Sequence, residues 1–345
     1  MLYQNPPKTV IDPKTLCLEL PASDLLQKKI DGNRNTARKI IHGQDERVLV
    51  IVGPCSIHDI NAALEFAERL KKAADYFADD LFIIMRVYFE KARTTTGWKG
   101  LIYDPGLDGS SDINHGLRLA RQLLIHLTEL GVPAGTEFLN PFIPLYLSDL
   151  ITWSAIGART SESQLHRELA SGLPMPVGFK NNTDGNIQIA IDAVSTARNA
   201  HHFLSINQHG VASIQHTMGN PDCHIILRGG DDKPNYSAMH VNHAYETLKN
   251  NDLVPRLVVD CSHGNSSKDH FNQIIAAESV IEQISQKSNP ICGVMIESNL
   301  IAGNQPLENK NTLTYGQSIT DQCIAWDDTF LLLDKLASAA RARNR

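Results

Sequence analysis

No apolar run in this 345-residue chain approaches the roughly 20 residues that a membrane span requires; those at 48–52 and 81–85 are among the longest. The N-terminal stretch MLYQNPPKTVIDPKTL also lacks the basic start and the apolar segment of about 7–15 residues that mark a secretory signal. The six cysteines are scattered without a Cys-x-x-Cys pair, which speaks against a disulfide framework and for reduced thiols. These absences predict a soluble, cytoplasmic protein. Basic residues are not in excess either: 32 Lys and Arg stand against 38 Asp and Glu, a formal charge of −6. That balance argues against a broad nucleic-acid or anionic-membrane footprint but leaves room for a small cationic pocket. No Gly-x-Gly-x-x-Gly follows the first strand-like run, so dinucleotide binding has no support.

What is present is a repeating grammar. From Arg47 onward a short, β-branched-rich apolar run is followed by a turn and then by a longer segment of helical period. The runs are VLVIVGPC (48–55), LFIIMRVYF (81–89), VPAGTEFL (132–139), SAIGART (154–160), PVGFKN (176–181), CHIILRGG (223–230), LVVDCSH (257–263) and CGVMIES (292–298). Eight runs alternating with helices are the arithmetic of an α/β fold, the (β/α)8 TIM barrel, which needs about 250 residues. Helices are expected at 61–77, 112–130, 162–171, 184–198, 238–250, 268–286 and 321–340, the last started by Thr320 as N-cap. Residues 1–45, broken by Pro6, Pro7, Pro13 and Pro21 before a polar helical stretch at 25–41, read as an N-terminal arm able to pack on a neighbouring subunit. The barrel then occupies 46–345. The segment 203–217, with His209-Gly210 between two alternating runs, reads as a hairpin inserted before the sixth strand.

Parallel barrel strands are buried on both faces and should be apolar throughout. Here each run closes on a reactive or charged residue: Cys55, Arg86, Glu137, Arg159, Lys180, Arg228, His263 and Glu297. One such residue alone is as well explained as a helix cap or a solvated loop charge. Eight in the same relative position converge on the C-terminal mouth of a barrel, where active sites of this fold lie. Cys55, His263, Glu297 and Asp321 offer a thiolate, an imidazole and two carboxylates, a set suited to a borderline divalent transition ion more than to Mg²⁺ or Ca²⁺. Arg86, Arg159, Lys180 and Arg228, with Lys91, Arg93 and Lys99 in the loop at 90–100, form a cationic set. Buried cations without counter-charges are costly, so such a mouth expects a small, multiply charged anion bearing phosphate or carboxylate. Nucleic acid would call instead for a surface stripe with aromatic platforms.

The segments GPCSIHD (53–59), MRVYFEKARTTTGWKG (85–100), SAIGARTSESQLHRELASGL (154–173), PVGFKNNTDG (176–185), HIILRGG (224–230), DCSHGNSSK (260–268), MIESNLIAGNQ (295–305) and YGQSITDQCIAW (315–326) resemble the 3-deoxy-D-arabino-heptulosonate 7-phosphate (DAHP) synthases. The likeness is to the type I, enterobacterial-like subgroup, whose members are inhibited by phenylalanine, tyrosine or tryptophan. It implies a TIM barrel that condenses phosphoenolpyruvate with erythrose 4-phosphate, the first step of the shikimate pathway. It implies one divalent metal ion (Mn²⁺, Fe²⁺, Co²⁺ or Zn²⁺) on Cys55, His263, Glu297 and Asp321. Phosphoenolpyruvate would lie on Arg86, Lys91, Arg159, Lys180, Arg228 and the backbone of Ala158, with a water held by Glu137. Arg93 and Thr94 would take the phosphate of the aldose. Lys91, His263 and the water at Glu137 would be candidate proton-transfer groups, and the assembly is expected to be a homodimer or homotetramer.

The chain departs from that pattern in three places. Ala92 stands where the substrate loop usually has proline, which frees one φ and adds loop entropy worth up to about 1 kcal/mol. Asn182 replaces a glycine, a position where a left-handed φ would suit asparagine better than most residues. Asn140, Ile143, Pro144, Leu145 and Pro174 fall where related enzymes line or border the pocket for the inhibitory amino acid. Lost partners for an amino acid's charged ends cost about 1–3 kcal/mol each, so feedback inhibition is expected to be weak or absent. Two enzyme alternatives stand beside this reading: a 3-deoxy-octulosonate 8-phosphate synthase using arabinose 5-phosphate, and a Schiff-base aldolase using Lys180. A barrel without activity is a third, against which the complete set of ligands and cations argues.

Overall fold

The computed structural model describes residues 7–93, 95–231 and 233–344. In chain order the elements are α1 (Pro13–Glu19), α2 (Asp24–Ile41), β1 (Val48–Gly53), α3 (Ile60–Tyr76), β2 (Leu81–Arg86), α4 (Ile113–Leu130), β3 (Ala134–Glu137), α5 (Pro144–Leu147), β4 (Trp153–Ile156), α6 (Gln164–Gly172), β5 (Val177–Lys180) and α7 (Gln188–Ala197). There follow β6 (His202–Ile206), β7 (Ala212–His216), β8 (His224–Leu227), α8 (Ala238–Asn250), β9 (Leu257–Asp260), α9 (His270–Ile284), β10 (Ile291–Glu297) and α10 (Trp326–Arg343). Eight strands close into a barrel in the order β1-β10-β9-β8-β5-β4-β3-β2, and every pairing in it is parallel. All eight apolar runs are barrel strands, and the (β/α)8 reading holds. The hairpin is likewise present: β6 and β7 pair antiparallel outside the barrel, closed by the Asn207 N–H donating to Val211 O.

Alternation along the strands sorts residues to two cores. Leu49 and Ile51 of β1, with Ile84, Trp153, Ala155, Ile226, Val258 and Met295, fill the barrel interior, while Val48, Val50 and Val52 face the helices. Helix α2 belongs to this packing: its Ile40 and Ile41 join the interior cluster. Its Arg38 and His42 meet the buried carboxylate of Asp222 at 2.6 and 2.9 Å. A further helix, α1, precedes it, with the Asp12 side chain accepting from the Thr15 N–H as cap.

Two local expectations fail. Thr320 is not the cap of the last helix, which begins at Trp326. Residues 321–325 are extended there because Cys323 and Ile324 bridge to Gly303 and Ser298. The Thr320 hydroxyl instead lies 2.8 Å from Ser56 Oγ. After β3, only the four-residue α5 and a 3-10 turn at Ser148–Leu150 take the place of a full crossover helix.

Candidate active site

The mouth of the barrel is a cavity of about 290 Å³ whose wall includes Arg86, Lys91, Arg93, Arg159, Lys180, Arg228 and Lys268, with the acidic groups Glu90, Glu137 and Asp321. His263, Ala158 and Tyr88 line it too. The strand ends and the loops that follow them thus bring together most of the residues that the sequence singled out, while Lys99 is not among those that line the cavity. Thr94 lies outside the described residues. Asn140 to Leu145 sit in the loop after β3 and in α5, and Pro174 in the turn before β5.

Beneath the cavity are Cys55 and Glu297, the first fully buried and the second nearly so. Ligand atoms of Cys55, Glu297 and Asp321 all lie within 4.8 Å of one another. Cys55 Sγ is 3.6 Å from Asp321 Oδ2, and His263 Nε2 is 3.7 Å from Glu297 Oε1. A soft sulfur and two carboxylates converge, with the His263 imidazole outside that mutual group but near Glu297, and such donors fit a transition ion and not an all-oxygen Mg²⁺ site. Burial pushes the Cys55 thiol up to about 12. Burial also opposes ionisation of Asp321, but Lys91, His263 and Lys268 outweigh it and hold that carboxyl at about 2. Lys91 reaches into this group, its Nζ 3.0 Å from Cys55 Sγ and 3.8 Å from Asp321 Oδ2.

Three further elements of the site carry no signal in composition or spacing. The first is Asp260, at the end of β9 and fully buried, whose Oδ2 lies 2.9 Å from both Lys180 Nζ and His263 Nδ1. Burial raises its pKa, yet Lys180, His263 and the Ser262 hydroxyl hold it well below the usual carboxylate range. His263 Nδ1 lies 2.7 Å from Ser262 Oγ, whose hydroxyl donates to Asp260 Oδ1 at 2.5 Å, so an Nδ1–H donated to Ser262 leaves the Nε2 lone pair of His263 for a cation. The second is a brace of buried amides: Asn181 Oδ1 accepts from the Arg228 N–H at 2.8 Å, and Asn235 Oδ1 from Gly229 N–H at 2.8 Å. Asn265 Oδ1 in turn accepts from Asn235 N–H at 2.7 Å. The third is the close fit of Gly157, where a Cβ would stand 2.5 Å from Glu137 Oε1.

The cations are held differently. Arg86 donates to Glu297 Oε1 at 2.9 Å and to Pro54 O and Cys55 O, with its guanidinium 3.4 Å from the Tyr88 ring centroid. Arg228, nearly buried, donates to Gly229 O, but its Nε has no partner among the described residues. Burial lowers its pKa. An unpaired guanidinium edge at the wall of a cavity is stabilised by an anionic ligand. Asn182 does not use a left-handed φ: its side chain is tied to Glu162 Oε1 and the Asn186 N–H, and the left-handed turn falls at Gly185.

Glu90, between β2 and Lys91, is 3% exposed, and burial raises its pKa to about 7 against the N–H groups of Leu139 and Asn140 and the Tyr103 hydroxyl that favour its ionised form. In the unfolded chain a glutamate titrates near 4.5. The folded state therefore binds this proton more tightly, and the resulting stability is full below about pH 4.5 and lost as the pH rises towards about 7. Relative to E90Q, the wild-type protein is expected to lose about 1.4 kcal/mol per pH unit across that window. Urea midpoints of both proteins from about pH 5 to about pH 8 read this directly, and a constant difference would refute it.

A (β/α)8 barrel whose mouth joins a Cys–Glu–Asp cluster able to hold a metal to a crown of cations defines a class: a barrel enzyme for small phosphorylated substrates. Within that class the chain belongs to the DAHP synthetase I family, whose model matches residues 20–334. It is 50% identical over 349 residues to the Phe-sensitive phospho-2-dehydro-3-deoxyheptonate aldolase of Escherichia coli K12, covering 99% of both chains. The Trp-sensitive enzyme of the same organism is 50% identical over 336 residues, 97% of this chain and 96% of that one. The phospho-2-dehydro-3-deoxyheptonate aldolase of Francisella tularensis SCHU S4 superposes with a TM-score of 0.96 at 51% identity, covering 99% of each chain.

Proposed function

We propose that the chain condenses phosphoenolpyruvate with D-erythrose 4-phosphate, giving DAHP and inorganic phosphate at the first step of the shikimate pathway. The observation that carries this is the Cys55–Glu297–Asp321 cluster lying directly under a mouth of seven Lys and Arg side chains. Two phosphorylated substrates brought into contact require that density of positive charge. In this reading Arg86, Lys91, Arg159, Lys180 and Arg228, with the Ala158 N–H, hold phosphoenolpyruvate. Arg93 and Thr94 take the aldose phosphate.

Cys55, His263, Glu297 and Asp321 would hold one divalent ion (Mn²⁺, Fe²⁺, Co²⁺ or Zn²⁺), which when bound polarises the aldehyde oxygen as a Lewis acid. The cations orient C3 of phosphoenolpyruvate against the aldehyde carbon, where the new carbon–carbon bond forms. In this reading Lys91 or His263 protonates the resulting alkoxide. Glu137 orients a water for addition at C2 and takes its proton, after which phosphate leaves by C–O cleavage. A homodimer or homotetramer in the cytoplasm completes the proposal; exposed Leu204, Ile214 and Met218 on and beside the hairpin are apolar surface such an assembly could cover.

Feedback control by aromatic amino acids is proposed to be weak or absent. Asn140 is spent on Tyr103 and on the Phe142 N–H, Ile143 is buried, and Leu145 packs against the core. The deciding measurement is phosphate release with both substrates, in Mn²⁺ and in excess EDTA, with and without sub-millimolar phenylalanine, tyrosine or tryptophan. Turnover is expected in Mn²⁺, absent in EDTA and indifferent to all three amino acids. Turnover that survives EDTA, or that prefers arabinose 5-phosphate, would overturn the assignment. Strong inhibition by one amino acid would overturn the effector reading alone.

A further inference from the structure

We infer that Glu90 is a positioning residue: its carboxylate clamps the base of the loop at 91–99 onto the loop after β3 and thereby sets where Lys91 and Arg93 stand. The inference rests on the proposed roles of those two cations. Glu90 Oε2 accepts from the Leu139 N–H at 3.1 Å, and Oε1 from the Asn140 N–H at 3.1 Å. Oε1 also accepts from the Tyr103 hydroxyl at 3.1 Å, and that hydroxyl accepts in turn from Asn140 Nδ2 at 3.2 Å. One carboxylate thus joins three stretches of chain: the end of β2, the far side of the loop, and the segment that follows Glu137.

The stem of the loop is narrow. The Lys91 N–H donates to Lys99 O at 2.9 Å, and the Ile102 N–H to Phe89 O at 3.4 Å. At Gly100, with φ +112, a Cβ would lie 2.2 Å from Phe89 O, so only glycine lets the two sides approach. The stem therefore has few ways to move except as a unit, and Glu90 is what fastens that unit to the neighbouring loop. Consecutive residues point apart: Glu90 turns to Leu139 and Asn140, whereas Lys91 turns to Cys55 Sγ. A displacement at Glu90 is passed directly to the Lys91 ammonium. Burying a carboxylate among neutral donors is unfavourable compared with an apolar plug of the same size, and the hydrogen bonds are what retain it there. The clamp is made of geometry that an apolar residue cannot supply.

The test compares the full-length wild-type, E90A and E90Q proteins by steady-state kinetics and by brief trypsin digestion, since Lys91, Arg93 and Lys99 are tryptic sites within the loop. E90A is expected to lower kcat about tenfold and to raise KM for erythrose 4-phosphate about tenfold, short of the 10²-fold that a misplacement of about 1 Å brings. KM for phosphoenolpyruvate should change less, because Arg159, Lys180 and Arg228 stand on other segments and Arg86 is fixed by Glu297 at 2.9 Å. Cleavage within 91–99 should rise about tenfold with the rest of the digest unchanged. E90Q should restore both readouts, its carbonyl oxygen accepting the two N–H groups and its amide donating to Tyr103 Oη. Unchanged kinetics and unchanged loop cleavage in E90A overturn the inference, and so does cleavage raised evenly along the chain. Should the wild-type protein not turn over these substrates, the digestion still decides the clamp, so the two readings fail separately.

Discussion

Asp260→Asn should cost the protein both activity and stability. Its carboxylate is shared by Lys180 and His263 at 2.9 Å each, in a position without solvent exposure. Asparagine keeps the shape and one acceptor but removes the charge. Lys180, 2% exposed, then becomes a buried cation lacking its counter-charge, a loss of about 3 kcal/mol at the lower end for a broken buried pair. Ser262, which lies 2.7 Å from His263 Nδ1 and donates its hydroxyl to Asp260 Oδ1, loses its charged acceptor, and weakening such an outer brace on a histidine ligand costs about 10–100-fold in metal affinity or activity. The expected outcome is a fall in kcat/KM of about 100-fold, weaker Mn²⁺ binding by titration calorimetry, and a lower urea midpoint. A variant that binds Mn²⁺ and turns over like the wild-type protein would show that Asp260 is an ordinary buried acid.

Cys55→Ser separates ligation from folding. The thiol lies fully buried against Asp321 and Lys91, and burial keeps it protonated without a metal, at a pKa of about 12. The backbone of Cys55 keeps its contact with Cys323 Sγ, which the substitution leaves in place. In EDTA the variant should therefore unfold within about 1 kcal/mol of the wild-type protein. A serine hydroxyl is a hard, poorly ionised donor, and its affinity for Mn²⁺, Fe²⁺, Co²⁺ or Zn²⁺ at this site should fall sharply. Turnover is expected to drop more than about 100-fold, beyond the range seen for outer-shell partners. Wild-type activity in the serine variant would remove Cys55 from the ligand set.

These expectations draw on features of unequal legibility. The eight strands could be read from the chain because a strand buried on both faces needs a continuous β-branched run, and the eight runs supply it. The convergence of Cys55, Arg86, Glu137, Lys180, His263 and Glu297 followed from the same runs, since a parallel barrel brings all its strand ends to one mouth. The hairpin at β6 and β7 was visible in the alternation around His209-Gly210, a local property.

Other features depend on which distant segments meet. Thr320 has the chemistry of a helix cap, but the strand-like bridges of Cys323 and Ile324 to Gly303 and Ser298 occupy that stretch and delay α10 to Trp326. Asn182 could have taken a left-handed turn, yet Glu162 and the Asn186 N–H hold its side chain and Gly185 turns instead. Glu90 reads as a loop acid beside a loop lysine until the segment after β3 is folded against it. Asp260 looks like the polar end of an apolar strand until closure of the barrel sets β9 across from Lys180 of β5. By itself the sequence determined the periodicity, the turn chemistry and the kinds of side chain at each strand end, because those are set by residues near one another in the chain. The partners of the buried charges were decided by the tertiary structure alone, because only barrel closure places groups from separate strands within hydrogen-bonding distance and excludes the water that would otherwise solvate them.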